Sequence, residues 1–284
     1  MAENDGQIHA PANEQELALG IDVGGTGIKG AVVDLRTGEL ASSRIRLKTP
    51  HPATPAAVAE TVSQVTSVSP LDEPALVGVG FPAVIKQGLV ETASNLDQSW
   101  IGKPADSLLA TAAHRRVAVL NDADAAGIAE MAFGAGRGFE GVLVMVTLGT
   151  GIGTSIFADG KLVPNSQLGL IDVRGKPGER RAAGVVKDRA KLSWKAWAKR
   201  VEEYLQTLDV LLWPDLIVIG GGITESWDRF ARYIRVRPPV VPATLGNNAG
   251  IIGAALFGAG SMPSSRDTDS NSGMPTIIGR SSTA

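Results

Sequence analysis

The 284-residue chain is 44% apolar and sets 27 basic against 29 acidic side chains, enough core for one long or two ordinary domains, without the cationic excess of a nucleic-acid binder. It has no cysteine and only three scattered histidines, His9, His51 and His114, which excludes disulfides and thiolate metal sites and argues against zinc. No apolar run approaches the ~20 residues that span a bilayer, and the N-terminus lacks the basic and apolar regions of a signal peptide, so a cytoplasmic protein with no membrane partner is expected.

Residues 1–16 are polar and aperiodic and residues 261–284 are rich in Ser, Pro, Gly and Asp; both are expected to be disordered tails. After the first tail, LALGIDVGG and KGAVVDL read as two strands around a glycine turn, with LASSRIRL continuing the meander. PAAVAETVSQVTSV has helical spacing, ALVGVGFP reads as a buried strand, KPADSLLATAAH as a helix, and RVAVLND as an apolar strand ending in polar residues. DADAAGIAEMAFGAG reads as a helix closing at Gly134 to Gly138, and GVLVMVTLGTGIGTSIFADGKLV as strand, glycine turn, strand and a further turn at Asp159-Gly160. LSWKAWAKRVEEYLQTLDVLL follows as a long amphipathic helix, PDLIVIGGG as a strand running into glycines, and NNAGIIGAALFGA as a closing helix. The second half repeats the first in outline, which predicts a duplicated α/β architecture.

Three glycine turns carry the chemistry. The first, GIDVGGTGIKG, is neither a Walker A loop nor a dinucleotide fingerprint, because a β-rich run follows it rather than a helix. A turn so bare serves either a tight hairpin with positive φ or the approach of a large ligand to the backbone. The second, LGTGIG, is of the same kind, and two such turns, one per half, can face each other with their amides and the hydroxyls of Thr26 and Thr150 turned to phosphate oxygens. The third, Gly220 to Gly222, precedes an expected helix and is either an anion site or a plain connection. Asp22 closes the first strand, where it can hold Mg²⁺ through water or simply form the turn. Asn121 and Asp122 end an apolar strand, where parallel sheets collect ligands, but Asp122 or Asp124 would also serve as a helix N-cap. Asn95 and Asp97 beside Trp100 offer the mixture of hydrogen-bonding groups and aromatic ring that sugars favour.

Taken together, LGIDVGGTGIKGAVVD, NDADAAGIAEMAFGAG, VTLGTGIGTSIF, LVPN and PDLIVIGGGI resemble the ROK-type sugar kinases of the actin-like ATPase (ribonuclease H-like) superfamily, nearest to the polyphosphate glucokinase branch, over Leu17 to Gly260. The resemblance implies two lobes around a central cleft: residues 17–122, then 123–248, with 249–260 as a helix returning to the first lobe. It implies transfer of a phosphoryl group from polyphosphate or ATP, with Mg²⁺, to the C6 hydroxyl of glucose, in a homodimer. By similarity Asp122 is the general base, Asn95 and Asn121 hold sugar hydroxyls, and Asp22 positions a metal-bound water. Gly24, Gly25, Thr26, Lys29, Gly149, Thr150 and Gly151 would hold the donor phosphates, with Gly221 and Gly222 at the donor's far end.

One place departs from the family pattern. After LVPN the family has Glu-Leu-Gly-His and an acidic residue; here QLGLID puts Gln167 for Glu, Leu170 for His, and Asp172 at the acidic position. Gln167 and Asp172 remain expected sugar contacts. The exchange admits a glucokinase with weakened sugar contacts, a kinase for another sugar, or a silent sugar or phosphate binder; the residues before Leu17 are too few for the helix-turn-helix of a DNA-binding relative. Finally, Arg174, Lys176, Arg180, Arg181, Lys187, Arg189 and Lys191 crowd one stretch, which either tracks a polyphosphate chain or is a solvated helix face interleaved with Glu179 and Asp188.

Overall fold

The structure is a computed structural model and describes residues 17–71, 77–94 and 96–260. Asn95 and the two expected tails lie outside the described residues. The first alternating apolar runs form β1 (Leu17–Val23) and β2 (Ile28–Asp34), antiparallel, with Val23 opposite Ile28, so Gly24 to Gly27 make the whole turn. β3 (Ile45–Leu47) pairs with β2 and is shorter than the meander expected, Leu40 forming only an isolated bridge to Val33. α1 (Pro55–Ser67) starts where Thr54 accepts from the Ala57 amide and Pro55 takes the first turn; it buries Val58, Val62 and Val65 along one stripe. β4 (Val77–Phe81) lies parallel to β1 and is buried on both faces, and a small hairpin, β5 (Ile85–Lys86) with β6 (Leu89–Val90), follows. α2 (Ala105–Ala113) and β7 (Val117–Asn121) complete a five-stranded sheet of order β3-β2-β1-β4-β7.

α3 (Asp122–Phe133) leads into the second half, where β8 (Val142–Leu148), β9 (Ile152–Ala158) and β10 (Lys161–Val163) form the antiparallel part of a second sheet. The basic stretch folds as two short helices, α4 (Gly178–Ala182) and α5 (Gly184–Arg189), ahead of α6 (Trp194–Leu212). β11 (Leu216–Gly220) runs into a 3₁₀ turn and the single-turn α7 (Trp227–Phe230), where the sequence predicts a helix after the third glycine cluster. β12 (Val240–Pro242) closes the sheet in the order β10-β9-β8-β11-β12, and α8 (Ala249–Gly260) ends the described chain. Each sheet has the same plan, three antiparallel strands followed by two parallel ones, so the duplication expected from the sequence is present strand for strand.

α3 and α8 pack on each other between the sheets, in a core shared by β1, β2, β8, β9 and β11. α8 seats backbone against backbone: a Cβ on Gly20 would strike the Ile251 carbonyl, one on Gly78 the Ala254 carbonyl, and one on Gly253 the Ala125 carbonyl. This close seating sets the start of α3 at the ends of β1 and β4. The first residue of α3 is Asp122.

Candidate active site

The two glycine turns are built alike. The Gly24 amide donates to the Gly27 carbonyl (3.1 Å) and the Gly149 amide to the Gly151 carbonyl (3.0 Å), so the first glycine of each turn locks the bend. The amides that follow, of Gly25 and Thr26 and of Thr150 and Gly151, donate to no protein acceptor among the described residues. None of these glycines has positive φ, and a Cβ on Gly25 or Gly149 would meet nothing within 4 Å. At Gly25 and Gly149 hairpin geometry therefore does not account for the missing side chain; what it leaves open is space beside free donors, the arrangement an anion fits.

Both turns open on one cleft of about 420 Å³, and Gly25, Thr26, Gly149, Thr150, Gly151 and Gly221 line it. Asn121, Asp122, Gln167 and Leu170 stand on its floor and walls. The N-cap of α3 is Asn121, whose Oδ1 accepts from the amides of Ala123 (3.0 Å) and Asp124 (3.1 Å) while its Nδ2 donates to the Ala83 carbonyl (3.1 Å). The side chain offered by sequence as cap or base is thereby released from capping, and Asp122 keeps one bond, from the Ala123 amide at 2.9 Å. Burial pushes the Asp122 carboxyl up to about 7, the Asp22 charge adds to the rise, and the Ala123 amide opposes it. Asp22 itself is paired with Lys29 at 3.2 Å and packs against Gly250 in the first turn of α8.

Some expected contacts lie elsewhere. Lys29 stands directly opposite Asp22 in the hairpin and is not a lining residue of the cleft, because its ammonium is taken by that carboxylate. Gly24 and Gly222 are not among the lining residues, and the Gly24 amide is closed within its own turn. Asp172 is exposed, caps a local turn by accepting from the Gly175 amide (2.9 Å), and lines a separate groove with Arg174 and Glu203. Of the basic stretch, Arg174 and Arg181 both pair with Glu203, at 2.9 and 2.5 Å. Conversely, Glu179, His51, Thr92, Ser94 and Thr147 line the cleft although no motif of the sequence marks them as contacts. Glu179 reaches it from α4, with an Oε2 2.7 Å from where a Cβ on Gly151 would stand.

The sequence model of the ROK family matches residues 18–167, more than half of the chain. Over 246 residues the chain is 46% identical to the polyphosphate glucokinase of Mycobacterium tuberculosis (strain CDC 1551 / Oshkosh), covering 86% of this chain and 92% of that protein. This chain belongs to the ROK family. Among solved structures, the inorganic polyphosphate/ATP-glucomannokinase of Arthrobacter sp. strain KM superposes with a TM-score of 0.83 at 45% identity, over 86% of this chain and 98% of that one. The ROK family glucokinase of Streptomyces griseus, solved with glucose and AMPPNP, shares the fold with a TM-score of 0.71 at 24% identity, over 85% and 99% of the two chains. The actin-like, doubled α/β fold is thus that of the ROK sugar kinases.

In this ROK chain the Asn of LVPN links the two halves of the chain. Asn165, in the left-handed region (φ 62°), donates its amide to Asp124 Oδ2 (2.7 Å), while its side chain takes both backbone groups of Ile85, accepting at 3.0 Å and donating at 2.8 Å. Asp124 is buried, which raises its carboxyl to about 6 against the pull of the Asn165 amide. Since Ile85 belongs to the first half and Asn165 to the second, these bonds tie the two halves together. Asn165→Ala leaves both Ile85 groups without their partner and places Ala at positive φ; the unfolding free energy is expected to fall by about 2–4 kcal/mol, read from denaturant midpoints.

Proposed function

We propose that the chain transfers a phosphoryl group from inorganic polyphosphate or ATP to the C6 hydroxyl of glucose, giving glucose 6-phosphate. One observation carries the reading: Asp122, raised to about 7, opens onto the same cleft as two turns whose amides have no protein acceptor among the described residues. A base with such a value takes a hydroxyl proton near neutral pH, and fixed amides suit the charge on a transferring phosphoryl group. The sugar oxygen forms its bond to the terminal phosphorus as the bridging P–O bond breaks. Its proton passes to Asp122, and ADP or a polyphosphate shorter by one unit departs. Asp22 strengthens the base, because its negative charge disfavours the ionised form of Asp122.

The donor set fits Mg²⁺ of the kind that keeps most of its waters. Asp22 presents one carboxylate close to Asp122, and no group of three or more potential metal-ligating side chains stands among the described residues, whereas Mg²⁺ in such sites needs one or two carboxylates plus the substrate's phosphates. When bound, the ion would neutralise phosphate charge, with Asp22 holding it through water. The sugar would rest on the wall of Asn121, Gln167 and Glu179. A homodimer in the cytoplasm belongs to the same reading; the exposed end of α6, with Val210, Leu211 and the adjoining Trp213, is an apolar surface a second copy would cover. No helix among the described residues is long and apolar enough to cross a membrane.

The test is a coupled assay for glucose 6-phosphate with long-chain polyphosphate and with ATP as sole donors. Product from at least one donor is expected. Absence of product with both would leave a binding protein, and product from a different hexose alone would reassign the acceptor.

A further inference from the structure

Outside the cleft, two cations meet on one aromatic ring. Lys187 Nζ stands 4.4 Å and Arg229 Cζ 4.9 Å from the centre of the Trp194 ring. That ring is held in place, stacked on Phe230 at 6.0 Å and edge-on to Trp197 at 6.0 Å. Each cation is brought there by a segment that starts at a donor turn. α5 begins with Gly184 against the carbonyls of Leu148 and Gly149, and its Val185 amide donates to the Gly149 carbonyl at 3.1 Å. Arg229 lies in α7, which follows Gly221 and Gly222, and Gly221 packs on Leu148. The two segments thus lead away from the second phosphate turn and converge on Trp194.

Like charges gathered this way repel, and the face of one indole offsets only part of the cost. Lys187 has a partner in Asp188 at 2.8 Å, but that carboxylate is 83% exposed and so largely screened by water. Arg229 makes no ion pair among the described residues, nor do Arg189, Lys191 and Lys195 nearby. Against them the same segments set Asp188, Glu225 and Asp228. What would complete this surface is an extended anion that passes out of the cleft. A nucleoside triphosphate has three phosphates, which on the reading above the turns would take up, while an inorganic polyphosphate continues past them and rewards each spaced cation.

We propose that Lys187 and Arg229, set on Trp194, form a distal subsite for inorganic polyphosphate, reached by long chains and not by ATP. The proposal rests on the phosphotransfer reading above and narrows the basic stretch to its last part. Arg174 and Arg181 are excluded from it by their pairing with Glu203.

The experiment compares the parent with the double variant Lys187→Gln/Arg229→Gln, in full-length protein. It reads the KM for long-chain polyphosphate, for tripolyphosphate and for ATP, and the direct Kd for long-chain polyphosphate by titration calorimetry without glucose. Expected is a tenfold or greater rise in KM and Kd for the long chain, with tripolyphosphate and ATP within about twofold. The salt slope of the long-chain Kd should fall by roughly 1.4, the value for two cations on a single-stranded polyanion. Lys187→Arg/Arg229→Lys, which keeps both charges, should stay near the parent. An unchanged long-chain Kd, or an equal loss with ATP, overturns the subsite. Failure of the phosphotransfer reading shows separately: the parent would make no glucose 6-phosphate from any donor, and the Kd would still judge the subsite.

Discussion

Asp122→Asn is expected to lower turnover of glucose phosphorylation by about 10²–10⁴-fold with either donor, the range a positioned general base supplies, while the KM for glucose changes by less than about threefold. The amide keeps the shape and can still accept from the Ala123 amide, so what is lost is proton acceptance. The parent's dependence on pH follows from the same group. Asp122 acts only when ionised, and its carboxyl is raised to about 7, so kcat/KM should climb as pH rises through about 7 and level off above it. In the variant that limb should be gone from the residual rate. Stability runs the other way. Between an unfolded carboxylate value of about 3.9 and about 7, the folded chain holds a proton on Asp122 that the unfolded chain has released, so this group's contribution falls as pH rises through that window. Asp122→Asn should therefore unfold no earlier than the parent at pH 8. A variant that kept more than a tenth of the parent turnover would remove Asp122 from the role of base.

The parts of the molecule that depend on local period were legible before any coordinates. Apolar runs around glycine turns over residues 17–34 and 142–158 mark both hairpins, and helical spacing from Pro55 marks α1. The pairing of Asp22 with Lys29 was also within reach, since a four-residue turn between Val23 and Ile28 sets the two side by side, whereas the family resemblance alone points Lys29 to the donor. Asn121 and Asp122 mark the boundary of such reading. Both types cap helices well, and which one does is decided by the register of β7 against β4, where Asn121 pairs with Phe81 and its side chain reaches Ala83. Glu179 was hidden for a different reason. It stands in a charged run whose composition reads as solvated surface, and only the seating of α4 against the β8–β9 turn carries it into the cleft. Asp172 erred the opposite way, its place in a sequence pattern being overridden by a local bond to the Gly175 amide.

Returning residues 167 and 170 to the Glu and His that the resemblance implies is expected to produce the second large change. Gln167 and Leu170 bracket one 3₁₀ turn, with the Leu170 amide donating to the Gln167 carbonyl at 3.1 Å, so their side chains share a face, and both line the cleft. Leu170 is 53% exposed there, an apolar side chain on a wall otherwise rich in hydrogen-bonding groups. Gln167→Glu replaces a neutral acceptor by a charged one, worth about 1 kcal/mol; Leu170→His supplies a hydrogen-bond partner to a sugar hydroxyl, worth about 0.5–1.5 kcal/mol. The double variant should thus lower the KM for glucose by about ten- to a hundredfold, with kcat within about threefold. The single variants are neighbours on one turn, so their effects should not add, and the coupling measured in the cycle reports whether they hold the same sugar. A second readout is independent of affinity. A new carboxylate at position 167 shares the cleft with Asp122, so the acid limb of kcat/KM should move to higher pH in Gln167→Glu and stay in place in Leu170→His. An unchanged KM in all three variants would take this wall away from the sugar. A higher KM for glucose with a lower one for another hexose would mean that Leu170 shapes the cleft for that hexose instead.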